Sequence, residues 1–153
     1  MSDDSLVLEN FLPYRLSVLS NRLSAAIAES YSRRFGLSIP EWRVMAVLAR
    51  EAGLSAAEVA ERTAMDKVAV SRAVSRLLAT GRARRETATG DRRRSMLELT
   101  PEGRRIYTRI TPALRKYEAA LLTGLDARER QALDGLLSRL EARAPLLEPP
   151  HID

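Results

Sequence analysis

The chain has 153 residues, 45% of them hydrophobic, enough to bury the core of an ordinary globular domain. It has no cysteine, which excludes disulfides, thiolate zinc sites and cysteine nucleophiles. Its one histidine, His151, follows Pro149 and Pro150 near the chain end, so neither a metal site nor a cofactor is expected. No run approaches the roughly 18 to 20 apolar residues of a membrane span, and the acidic start MSDDS lacks the order of a signal peptide, so a cytoplasmic protein is expected.

A first long helix is expected from Pro13, with Leu12, Leu16, Leu19, Leu23 and Ile27 on one face and Gly36 as its stop. Ser38 and Glu41 have capping-box spacing, with Pro40 in the first turn, ahead of a second helix through Trp42, Met45, Val47 and Leu48 that Gly53 ends. Ser55 and Glu58 repeat the capping spacing before a short third helix, AAEVAERT. Asp66 caps a fourth. This helix puts Val70, Val74, Leu77 and Leu78 on one face and Lys67, Ser71, Arg72, Ser75 and Arg76 on the other, and Gly81 closes it.

Two short strands are expected next, Arg82 to Glu86 and Ser95 to Leu99, joined by turn chemistry at Thr89, Gly90 and Asp91. Thr100 and Pro101 restart helix through Ile106, Ile110, Leu114, Tyr117 and Leu121. Asp126 and Glu129 cap a last helix bearing Leu133, Leu136, Leu137 and Leu140, which Pro145 stops. The fold class is therefore mainly α with a small β-hairpin wing: a winged helix-turn-helix with a helical region around it.

The net charge of +5 is unevenly spread. Residues 62–94 hold ten bases (Arg62, Lys67, Arg72, Arg76, Arg82, Arg84, Arg85, Arg92, Arg93 and Arg94) against three acids (Asp66, Glu86 and Asp91). This local balance of +7 leaves the rest of the chain at −2. Charge concentrated in this way is the footprint of a polyanion. A short helix, a tight turn and a helix with a polar outer face is the plan that sends the second helix into the DNA major groove. An adjoining hairpin tipped by arginines suits a neighbouring minor groove, whose negative potential attracts them.

The run MDKVAVSRAVSRLLATGRARRETATGDRRRSMLELTPEGR resembles the signature of MarR-type transcription regulators. The matching positions are Asp66 before the recognition helix, Arg72 within it, Leu77 and Gly81 at its end, and Arg85 in the first wing strand. Asp91 and Arg93 form an Asp-x-Arg, and Leu99-Thr100-Pro101-Glu102-Gly103 follows. Arg82 departs from the family, which more often has an apolar residue after the glycine. The resemblance implies a homodimer on a pseudo-palindromic duplex, with repression as the family default. Residues 1–36 and 101–153 would form the dimerisation region and residues 37–100 the winged DNA-binding domain. The sequence gives its own reason for a dimer: helices at both ends carry apolar faces that the small central domain cannot cover.

The expected DNA-contacting residues are Lys67, Ser71, Arg72, Ser75 and Arg76 on the recognition helix and Arg84, Arg85, Arg92, Arg93 and Arg94 on the wing. Arg72 would bond either a guanine edge or a phosphate. Arg93 matches the family's wing arginine and would enter the minor groove, while Asp91 would organise the arginines around it. The resemblance also implies release from DNA by a small aromatic or phenolic carboxylate. Tyr14, Arg15, Tyr31, Trp42, Arg43, Met45 and Tyr107 are the residues that would frame its pocket. The alternatives are an effector-independent DNA-binding protein and a winged-helix module for RNA or protein contacts. An enzyme is not expected, because no acidic pair, phosphate-binding glycine loop or serine motif is present. RNA is disfavoured because residues 62–94 contain no aromatic side chain on which a base could stack.

Overall fold

The computed structural model describes residues 5–87 and 95–150. A short 3-10 turn leads into α1 (Leu12–Phe35), α2 (Ile39–Arg50), α3 (Ala56–Thr63) and α4 (Lys67–Ala79). The hairpin β1 (Ala83–Thr87) and β2 (Ser95–Leu99) follows, then α5 (Pro101–Leu121) and α6 (Ala127–Arg143). The chain is thus mainly α with one antiparallel two-stranded ladder, as its sequence pattern predicts.

Local chemistry sets the boundaries. Gly36 ends α1 in the left-handed conformation at φ 62°, its amide donating to Ser32. The predicted capping boxes of α2 and α3 both form. The Ser38 amide donates to Glu41 Oε2 at 2.7 Å, and the Ser55 amide donates to Glu58 Oε2 at the same distance. Asp66 accepts the Ala69 amide at 2.9 Å to start α4.

α4 ends in a Schellman turn. Gly81 is left-handed at φ 68°, and the Arg82 amide reaches back to the Leu77 carbonyl at 2.8 Å. That bond uses the Arg82 amide, so β1 begins at Ala83, one residue later than the sequence pattern predicts. α2 also ends earlier than expected, at Arg50. Gly53 serves the sheet instead, donating to the Leu97 carbonyl at 2.9 Å, while the Leu97 amide donates to Leu54 at 2.8 Å. The hairpin is thereby stitched to the α2–α3 connection by an isolated bridge, Leu54 with Leu97, that periodicity does not reveal.

Residues up to Leu114 form one compact unit and those from Arg115 a second. The core of the first gathers Tyr31, Leu37, Met45, Leu48, Val59, Val70, Val74, Leu77, Leu97, Ile106 and Ile110 from all of its helices and β2. Ala73 joins the buried face of α4, whereas Leu78 is half-buried. In the second unit, Asp126 and Glu129 form the expected capping box. Arg130 clamps the preceding turn by donating to the Leu122 and Leu125 carbonyls at 2.7 and 3.0 Å. None of the α6 residues is buried. No described helix is long and apolar enough to cross a membrane.

Candidate nucleic-acid interface

The face of α4 opposite its core residues carries Lys67, Val68, Ser71, Arg72, Ser75 and Arg76, all exposed. Among the described residues, none pairs with the side chains of Lys67, Ser71, Arg72 or Ser75, so these groups remain available to an outside partner. Arg76 is different. Its Nε donates to Oε1 of Glu41 at 3.3 Å, and Glu41 is the only charged residue in the described core, 1% exposed.

The remaining arginines among the described residues of 62–87 are also engaged within the chain. Arg62 makes a two-point ion pair with Glu51, its Nη2 donating to Oε1 at 3.0 Å. Arg82 donates to the Phe35 carbonyl at the end of α1. Arg84 pairs with Glu98 directly across the ladder and with Glu86 at 3.3 Å, and Arg85 donates to Ser95 Oγ at 2.9 Å. Charge counting therefore overstates the free basic surface: among the described residues of 62–87, only Lys67 and Arg72 lack an internal partner. Asp91, Arg92, Arg93 and Arg94 lie outside the described residues.

The Arg82 contact, which the sequence pattern does not announce, explains the departure from an apolar residue there. Its side chain ties α1 to the hairpin base, and its carbonyl accepts the Thr100 amide at 3.1 Å. Thr100 in turn caps α5 by accepting the Gly103 amide at 3.1 Å, and donates to the Gly81 carbonyl at 2.7 Å. A single threonine hydroxyl thus joins the end of α4 to the start of α5.

The seven residues expected to frame a ligand pocket do not assemble into one site within the chain. Tyr31, Trp42 and Tyr107 form a continuous stack, with centroids 5.5 and 5.4 Å apart and interplanar angles of 26° and 15°. No ring fits between rings so spaced. Met45 is fully buried in the core. Arg43 donates to Ser24 at 3.5 Å and lowers the Tyr31 phenol pKa, an effect that burial outweighs by raising it. Tyr14 and Arg15 lie at the far end of α1, about 24 Å along the helix from Tyr31, beside an open apolar groove with Leu12, Leu16 and Leu19.

Residues 35–94, from the end of α1 to the position before β2, match the sequence model of the MarR family. Over these residues the chain is a MarR-family winged helix. It is 27% identical over 141 residues to an HTH-type transcriptional repressor of Mycobacterium bovis, covering 92% of this chain and 96% of that protein. It is 33% identical over 97 residues to a Thauera aromatica protein named for transcriptional regulation of the hcr operon, covering 63% of this chain and 58% of that protein. The chain therefore spans a little over half the length of the Thauera relative.

Among solved structures, a MarR-family regulator from Silicibacter pomeroyi superposes with a TM-score of 0.77 at 29% identity, covering 95% of each chain. Bordetella bronchiseptica BpsR, a protein whose DNA binding is regulated by 6-hydroxynicotinic acid, shares the fold at TM-score 0.78 and 23% identity. That match covers 90% of this chain and 97% of BpsR. The family and these relatives are transcriptional regulators rather than enzymes.

Proposed function

We propose that this MarR-family regulator is a repressor that binds a pseudo-palindromic duplex as a homodimer, one α4 entering each of two successive major grooves. The observation that carries this reading is the outer face of α4, where Lys67, Ser71, Arg72 and Ser75 stand exposed with no partner among the described residues. They project from a helix whose opposite face is locked into the core by Val70, Ala73, Val74 and Leu77. A rigid, partner-free polar face is what a groove-reading helix requires. The hairpin would reach the adjacent minor groove through Arg92, Arg93 and Arg94, with Asp91 organising them. Arg84 and Arg85, already paired within the hairpin, would touch phosphates.

Residues 37–100 would be the reading head, and residues 1–36 and 101–153 would pair with a second copy. Support comes from the apolar side chains that a single chain leaves in water: Leu12, Leu16 and Leu19 on α1, and Leu133, Leu136, Leu137 and Leu140 on α6. Two-fold symmetry would place the two heads about 34 Å apart, one turn of DNA. Release would follow binding of a small aromatic or phenolic carboxylate beside the Tyr31–Trp42–Tyr107 stack, with Arg43 near enough to answer its charge. BpsR and its hydroxylated aromatic acid support that ligand class. A ligand preferring a dimer with misplaced heads would lower DNA affinity by that preference alone.

Selection of duplexes from a randomised library tests this proposal. The expected result is an enriched inverted repeat bound by two copies, with affinity that falls steeply as salt rises and recovers little competition from RNA. No enriched sequence, or equal competition by RNA, would overturn it.

A further inference from the structure

Val68 stands apart on α4. It is 59% exposed, and among the described residues it is the only exposed large hydrophobic side chain between Leu19 and Tyr117. One exposed valine on an arbitrary surface would mean nothing. This one lies in the first turn of α4, two residues after the Asp66 cap. At 3.6 residues per turn it points roughly 170° away from the mean direction of Val70, Ala73, Val74 and Leu77. It is therefore at the crest of the outer face and in the turn that reaches base edges when such a helix enters a groove. Lys67 and Ser71 lie on one side of it and Arg72 on the other, so the apolar side chain is ringed by groups suited to DNA.

A β-branched residue at this position supplies neither a cap nor helix propensity. The major groove offers only one apolar group of matching size, the C5-methyl of thymine. Resting on the DNA-binding reading above, we infer that Val68 is a specificity-determining residue that packs on a thymine methyl in each half-site. The pairing selects T over C at that position without any hydrogen bond, and it excludes water from the neighbouring Arg72 contact.

The test uses the full-length protein and the duplex enriched from a randomised library, with each thymine replaced in turn by deoxyuridine, which removes the methyl alone. At one thymine per half-site the wild type is expected to lose about fourfold in affinity, the effect of exposing one buried methyl-sized group. Val68→Ala should bind the thymine and uracil duplexes equally at that position, while keeping wild-type affinity for random-sequence DNA and an unchanged circular dichroism spectrum. An enriched duplex whose thymines all tolerate uracil, or a methyl dependence that persists in Val68→Ala, overturns the assignment and leaves the DNA-binding reading standing. Failure to enrich any duplex removes both.

Discussion

Arg76 on α4 donates from Nε to Oε1 of Glu41 on α2 at 3.3 Å, and the other carboxylate oxygen of Glu41 accepts the Ser38 amide at 2.7 Å. One buried carboxylate thus caps the helix that carries Trp42 and also fixes the helix proposed to enter the groove. Two arginines four residues apart on one face consequently have different tasks. Removing Arg76 strands a buried charge, but the arginine side chain is 69% exposed, so the cost falls between that of a surface pair and a fully buried one. Arg76→Ala should lower stability by about 1–2 kcal/mol in urea unfolding. In a Glu41→Gln background, which retains an acceptor for Ser38 but removes the charge, the same substitution should cost clearly less. Equal costs in the two backgrounds would deny the coupling.

Arg72, with no internal partner, should behave in the opposite way. Arg72→Ala is expected to change stability by less than about 0.5 kcal/mol and to weaken binding to the enriched duplex about tenfold or more. Arg72→Lys separates the two contacts that the sequence leaves open. A bidentate guanine contact is lost on the change to lysine, whereas a phosphate contact survives it. Loss of a phosphate contact should also reduce the slope of log affinity against log salt by about one. Wild-type affinity in Arg72→Ala would remove this residue from the interface.

Gly103 gives the Leu-Thr-Pro-Glu-Gly run a physical meaning. A Cβ at this position would lie 2.0 Å from the Arg82 carbonyl oxygen, a backbone atom held by the Thr100 amide and unable to swing aside. The start of α5 packs against the hairpin base only because that carbon is missing. Gly103→Ala should therefore destabilise by at least 2 kcal/mol or so, with the loss visible as a lower urea midpoint. Gly135, inside α6 with open space around its missing Cβ, is the control: alanine there should stabilise by roughly 0.5–1 kcal/mol. Similar behaviour at both positions would contradict the close-approach explanation.

Helices and caps were legible in the sequence because their signals are local. Ser38 with Glu41, Ser55 with Glu58, and Asp126 with Glu129 each combine a capping residue and a partner three positions on, and all three boxes form. The outer face of α4 was legible for the same reason, since its periodicity is contained within the helix. Pairings between distant residues were not. Nothing near Arg76 in the sequence points to Glu41, 35 positions away, and nothing near Arg82 points to the Phe35 carbonyl, 47 positions away. Composition counts both arginines as basic surface, whereas packing commits them to internal acceptors. Among the residues expected to frame a pocket, Tyr31, Trp42 and Tyr107 stack on one another within the chain, whereas Tyr14 and Arg15 lie toward the other end of α1.

The Tyr31 phenol provides a spectroscopic handle on the stack. Burial raises its pKa above the ordinary value of 10.0, and Arg43 only partly offsets this. The folded protein therefore holds this proton to higher pH than the unfolded chain does. The resulting stability is fully present below pH 10 and is lost as pH rises through the folded value. An absorbance titration should contain a late step from the Tyr31 phenol, above the ordinary tyrosine value, and unfolding should become easier over the same range. Tyr31→Phe should abolish the late step and flatten that fall. A late step that survives the substitution would assign it to another tyrosine.

The leucines of α6 test the proposed dimer most directly, because no residue of this helix is buried within the single chain. Leu133, Leu137 and Leu140 follow the spacing of one helical face, and all are exposed. Association that buries such faces from both ends of the chain falls in the range of obligate interfaces, about 2,000 Å² or more. Leu137→Lys with Leu140→Lys should place charges in that seam while leaving the core of residues 5–114 intact. Light scattering should then report the mass of one chain instead of two, with the circular dichroism of a folded helical protein. Affinity for the enriched inverted repeat should fall by about a hundredfold, since each head then binds without the effective concentration its twin supplies. A two-chain mass in the doubly charged variant would show that α6 does not form the seam.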